Sequence, residues 1–127
     1  MRRITPAVKR AAERRAREDA AKRLAEVVPT LDALTLTIEE CDSEKTALAP
    51  VEVSHTRRIV VDRAPAVFDL PCYDRHCDGG HDVTKSVIRA LQDRKTRFEG
   101  RHRCGGHSKH GDCRLELHFV AEAHYDG

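Results

Sequence analysis

The chain has 127 residues, enough for one compact domain and an appendage but not for two full-sized catalytic domains. Apolar residues make up 39% and charged residues 35%, yet Lys and Arg outnumber Asp and Glu by only 23 to 21, which excludes both an acidic solvating tail and a uniform polycation. No run reaches the ~18 apolar residues that span a bilayer, and the charged start is unlike a secretory leader, so the expectation is a soluble, cytoplasmic protein with no membrane partner.

Residues 5–28 read as one long helix, with Thr5 as its cap, Pro6 in its first turn and Val28 before Pro29 at its end. Ala, Arg, Glu and Lys dominate its interior, and Val8, Ala11, Ala12, Ala16, Ala20 and Leu24 form a stripe of mostly small residues. Up to Arg23 there are nine basic and three acidic residues, which leaves fourteen basic against eighteen acidic in the rest. A basic helix therefore precedes an acidic body. Such an arm could lie on nucleic acid, pack on its own body, or pair with a copy of itself through the small-residue stripe.

After Pro29 the apolar period changes from helical to alternating. Leu34, Leu36 and Ile38 alternate with Thr35, Thr37 and Glu39 as in a half-buried strand. Residues 41–54 read as a polar connection, 57–61 as a second strand, and 63–70 as its continuation past Pro65 or as an edge strand. Asp82 is placed to cap a helix running to Lys95, with Val83, Val87, Ile88 and Leu91 on one side. The last third reads as a hairpin of strands 96–104 and 113–125, in which Phe98, Gly100, His102 and Cys104 share one face of the first strand. Cys113, Leu115, Leu117, Phe119, Ala121, Ala123 and Tyr125 share a face of the second. The expected architecture is α+β: residues 1–29 form a basic amphipathic helical arm, and residues 30–127 form a zinc-binding domain with a small antiparallel sheet, one packed helix and a C-terminal hairpin.

Five cysteines in a chain without an export signal point to metal binding rather than to disulfides. Four of them form the pairs Cys72-x4-Cys77 and Cys104-x8-Cys113, each at the ends of regular elements, while Cys41 stands apart as a bystander thiol. The expectation is one zinc per chain held by Cys72, Cys77, Cys104 and Cys113, although iron also accepts four thiolates. His81, His107 and His110 lie within a few residues of the cysteines and are alternative ligands. Gly79-Gly80 and Gly105-Gly106 read as tight turns that let backbone wrap a metal. From Thr30 onward only 24 residues are Val, Ile, Leu, Phe or Tyr, so a metal staple would supplement a thin core. In general character the cysteine pairs around turns resemble those of zinc ribbons and related small zinc-binding domains, with spacings that depart from the Cys-x2-Cys knuckle.

For function, this pattern favours a non-enzymatic, zinc-stabilised binding module. Arg94, Lys95, Arg97, Arg101 and Arg103 form the expected partner-binding patch, suited to nucleic acid or an acidic protein surface. Only five aromatic residues are present, too few for a base-stacking platform. The rival is a small zinc-dependent hydrolase or other metal enzyme, with Asp78, Asp82 or Asp112 as a base, but the chain has no His-Glu-x-x-His, deaminase, nucleophile-elbow or phosphate-loop motif. A third reading is an assembly subunit, a homo-oligomer joined through the N-terminal helix.

Overall fold

A computed structural model describes residues 5–42, 53–73, 77–108 and 111–126. The first helix, α1 (Pro6–Ala20), opens as the sequence predicts: the Thr5 hydroxyl accepts the Val8 N–H at 3.2 Å and Pro6 occupies the first turn. It does not run on to Val28. Ala21 is extended, the Ala66 N–H donates to the Lys22 carbonyl and the Leu24 N–H to the Ala64 carbonyl, both at 2.8 Å, before a single turn, α2 (Leu24–Val27), resumes the helix. Tertiary backbone pairing with residues 64–66 thus overrides the helical propensity of Lys22 and Arg23. Leu24 and Val28 are buried in the core of the body.

Strands β1 (Leu31–Asp42) and β2 (Val53–Ile59) pair antiparallel, with Leu34 opposite Ile59 and Glu40 opposite Val53. The second strand thus begins earlier and ends earlier than expected, because residues 60–64 turn, the Arg63 and Ala64 N–H groups both donating to the Val60 carbonyl. Most of the predicted edge strand over 63–70 is irregular. Only β3 (Asp69–Pro71) pairs, with β4 (Gly80–Asp82) across the first cysteine loop.

Helix α3 (Thr84–Gln92) follows, with Asp82 Oδ1 accepting the Thr84 N–H at 3.1 Å. It stops short of Lys95 because Arg94 takes a left-handed conformation (φ 58°), so that the Arg94 and Lys95 N–H groups bond back to the Leu91 and Ala90 carbonyls. Strand β5 (Arg97–Arg103), the short ribbon β6 (His107–Ser108) with β7 (Gly111–Asp112), and β8 (Leu115–Tyr125) complete the chain. Strands β5 and β8 form the expected hairpin, and the main sheet has the order β2-β1-β8-β5.

Side-chain alternation then builds the core. Leu34, Leu36 and Ile38 of β1 and Leu117, Phe119, Ala121 and Ala123 of β8 face inward against Val87 and Leu91 of α3 and Leu24, Phe68 and Leu70. The fold is α+β, with α3 on one face of a small antiparallel sheet. The small-residue stripe of α1 does not join this core: Val8, Ala12, Ala16 and Ala20 are exposed, and the helix meets the body through its arginines. Arg10 and Arg17 reach Asp69, at 3.3 and 3.7 Å, and Arg17 reaches Asp82 at 2.7 Å. No helix among the described residues is long and apolar enough to cross a membrane.

Candidate metal centre

Two hairpins carry the four cysteines to one end of the molecule. Cys72 directly follows β3 and Cys77 lies just ahead of β4, while Cys104 directly follows β5 and Cys113 lies just ahead of β8. Backbone hydrogen bonds fix both loops and tie them together. The Cys104 N–H donates to the Leu115 carbonyl and the Cys113 N–H to the Gly106 carbonyl, both at 2.9 Å. Between the loops, the His107 N–H donates to Asp78 Oδ1 at 2.6 Å, and the Asp78 N–H to the His107 carbonyl at 3.1 Å. Gly79 and Gly106 sit where the loops touch: a Cβ on Gly106 would lie 2.4 Å from the Gly79 nitrogen and 2.5 Å from Cys77 Sγ. Of the four predicted turn glycines, these two are required by close approach, whereas a Cβ on Gly105 would meet nothing.

The four sulfurs all lie within 4.8 Å of one another, with Cys72 to Cys113 at 3.7 Å and Cys77 to Cys104 at 3.6 Å. These separations are far too long for disulfides, and all five cysteines are free thiols. The 3.6 and 3.7 Å separations are close to the edge of about 3.8 Å that metal–sulfur bonds of about 2.3 Å imply for a tetrahedron. Cys77, Cys104 and Cys113 are buried and Cys72 is half-buried. Burial pushes the Cys77 thiol up to about 12, an effect that the Gly79 N–H on its sulfur opposes and the neighbouring Cys104 reinforces. Holding a cation there would require displacing such protons, which couples metal uptake to proton release. The donor set is therefore chemically suited to a thiophilic metal ion, which the four cysteines could hold. Cys41 is half-buried on β1 and outside the group.

Helix α1 covers one side of the cluster. Arg10, Ala11 and Arg14 line a cleft with Pro71, Cys72, Cys77 and Gly79, and the Nε atoms of Arg10 and Arg14 are buried without hydrogen-bond partners. Arg10, whose guanidinium also bonds Glu13 and Asp69, and Arg14 thus line the same cleft as two of the thiols.

The three candidate histidines go separate ways. His107 is exposed, its Nδ1 2.6 Å from Asp112 Oδ1, and His110 lies outside the described residues. His81 is fully buried beside Glu40 and Cys72, three donors within 4.8 Å of one another. Its Nδ1 lies 2.9 Å from Nδ1 of His102, which burial and then the His81 charge hold below the usual histidine range. Sequence reasoning missed Glu40 and His102. The signal was parity: Glu40 continues the inward series Leu34, Leu36, Ile38, and it shares a cross-strand row with Leu117 and His102.

The predicted patch residues Arg94, Lys95, Arg97, Arg101 and Arg103 are all exposed, at the end of α3 and along edge strand β5. Arg97 pairs with Glu122 at 3.3 Å and Arg101 with Glu116 at 3.6 Å, and the Arg94 guanidinium sits 5.3 Å from the Tyr125 ring centroid. Fold and site together define an α+β domain with a four-cysteine cluster that could bind a metal ion. Comparison with protein-family models, curated proteins and solved structures found no match for this chain.

Proposed function

We propose that Cys72, Cys77, Cys104 and Cys113 hold one zinc ion per chain as a closed structural site, and that the protein is a non-enzymatic binding module built around it. The observation that carries this reading is the set of four sulfurs within 4.8 Å of one another, from loops already braced by backbone hydrogen bonds. Four thiolates on a divalent ion carry a net charge of −2, which Arg10 and Arg14 are placed to offset. A site with all four positions filled leaves no place for a reacting water, which separates this reading from a catalytic zinc. In this reading α1 is held on the rest of the domain by these charges, while Leu24 and Val28 anchor the segment that follows it in the core.

The binding surface is the basic edge formed by Arg94, Lys95, Arg97, Arg101 and Arg103, and its partner is polyanionic: nucleic acid or an acidic protein surface. Metal content tests the site. Elemental analysis of the untagged chain gives one zinc, lost together with the fold by circular dichroism in Cys72→Ser and Cys113→Ser; a folded wild-type chain with no metal overturns the reading. Zinc X-ray absorption showing four sulfurs excludes the catalytic alternative at this cluster. Charge reversal at Arg97, Arg101 and Arg103 tests the surface: affinity for a nonspecific duplex falls with zinc content unchanged, and unaltered binding sinks the nucleic-acid assignment.

A further inference from the structure

Beside the cluster, the core holds a carboxylate next to an imidazole whose bonding is incomplete. Glu40 is 2% exposed, and its carboxylate accepts the Tyr73 N–H at 3.0 Å. His81 is 0% exposed; its Nε2 lies 3.8 Å from Glu40 Oε2 and has no hydrogen-bond partner. A buried ring nitrogen left this way costs free energy on the order of kcal/mol. No placement of protons turns the 3.8 Å separation into a hydrogen bond, and only a doubly protonated His81 ring would make it an ion pair. If His81 donates its Nδ1–H to His102, the lone pair of a neutral Nε2 faces the carboxylate, an acceptor against an acceptor. If His102 donates instead, or if the His81 ring carries both protons, the Nε2–H points across a gap too long for a hydrogen bond.

A cation between the two groups satisfies both. Metal bonds to imidazole nitrogen and carboxylate oxygen are about 2.0–2.2 Å, so two such donors 3.8 Å apart can bind one ion with little movement. The Cys72 sulfur lies within 4.8 Å of both donor atoms and supplies a third ligand. The 2.9 Å contact with His102 holds the ring from its other nitrogen, as outer partners of metal-bound histidines do. We propose that Glu40, His81 and Cys72 form a second site, for a zinc-like divalent transition ion, in which the Cys72 thiolate bridges to the ion of the four-cysteine cluster. The mixed nitrogen, oxygen and sulfur donor set selects zinc or cobalt over magnesium or calcium. Only the bridging role of Cys72 rests on the four-cysteine reading.

The test is zinc titration of the full chain, with bound metal measured by elemental analysis after equilibrium dialysis. The wild type is expected to take up a second equivalent at micromolar free zinc. Glu40→Gln and His81→Gln are expected to weaken that second equivalent at least tenfold while retaining the first. Stoichiometry that stays at one up to millimolar zinc, with that equivalent retained in His81→Gln, overturns the proposal, as does a second equivalent unchanged in both variants. Should the variants misfold, X-ray absorption of the doubly loaded wild type decides: a nitrogen and oxygen shell with imidazole scattering supports the second site, and sulfur alone refutes it. The two readings fail differently. A single equivalent lost in Cys77→Ser but indifferent to His81→Gln refutes this site alone, whereas one lost in His81→Gln but kept in Cys77→Ser refutes the four-cysteine site instead.

Discussion

Gly106→Ala, set against Gly105→Ala, tests whether the cluster depends on backbone contact between the two cysteine loops. A Cβ on Gly106 would stand 2.4 Å from the Gly79 nitrogen and 2.6 Å from its Cα, about 1 Å inside ordinary van der Waals distance. Both atoms are backbone, so no rotamer change relieves the clash and the loops must separate. That motion is transmitted to the sulfurs, because Cys77 is two residues from Gly79 and Cys104 two from Gly106, whereas metal–ligand distances tolerate only about 0.2 Å. Overpacking of this kind costs about 1–3 kcal/mol, a loss of about 5- to 150-fold in metal affinity if it falls wholly on binding. The adjacent Gly105 has no atom within 4 Å of a built Cβ, and its backbone does not lie in the left-handed region, so Gly105→Ala matches composition without the clash. Competition against a chromophoric zinc chelator measures both variants. Equal affinities for Gly105→Ala and Gly106→Ala would refute the argument that loop contact sets the sulfur geometry.

The other predictions concern the helix and the core. Arg14→Gln should weaken zinc binding by about 1 kcal/mol, roughly fivefold, relative to Arg15→Gln, because Arg14 lines the cluster's cleft and Arg15 is exposed; equal effects in the two would remove the charge argument. Leu24→Ala should cost about 2–5 kcal/mol in urea denaturation, since Leu24 is fully buried, and a loss below 1 kcal/mol would place α2 outside the cooperative core. Burial alone would raise the Asp82 carboxyl, but hydrogen bonds from Thr84 and Arg17 and the Arg17 charge hold it below the usual carboxylate range. Its contribution to stability is therefore present above the ordinary carboxylate value and is lost as pH falls through the lower folded value. With both partners near half exposed, Arg17→Ala should cost under about 1 kcal/mol at neutral pH and flatten the acid limb; an unchanged acid limb by circular dichroism contradicts the pairing.

Much of the fold was legible because alternation and helical period are local. The inward faces of β1 and β8 follow from counting every second residue from Leu34 and from Leu117, and the C-terminal hairpin follows from two such runs. The break in the first helix was not legible, because it depends on where the backbone of residues 64–66 lies, a contact across forty residues that propensity does not encode. The 60–68 segment misled for the same reason: Val60, Val61, Val67 and Phe68 read as strand, yet its backbone groups turn on themselves and pair with Lys22 and Leu24.

The candidate site divides along the same line. Cysteine pairing at element ends pointed to the four sulfurs that lie within 4.8 Å of one another, whereas the β3–β4 pairing that carries Cys72 and Cys77 was not legible. Glu40 and His102 were not singled out as site residues, although strand parity already put His102 on the face of Phe98 and Cys104. Strand parity decides such placements: a residue at an inward position must go inward or the whole strand must slip by one. The sheet register leaves no such slip between Leu34 and Asp42, so Glu40 is carried into the core by Leu34, Leu36 and Ile38. Their burial stabilises the strand by about 1.5–3 kcal/mol per side chain, enough to hold one buried carboxylate in place. A charged residue kept at such a position marks where the interior expects a partner, and the unpartnered His81 nitrogen 3.8 Å away shows where that partner would sit.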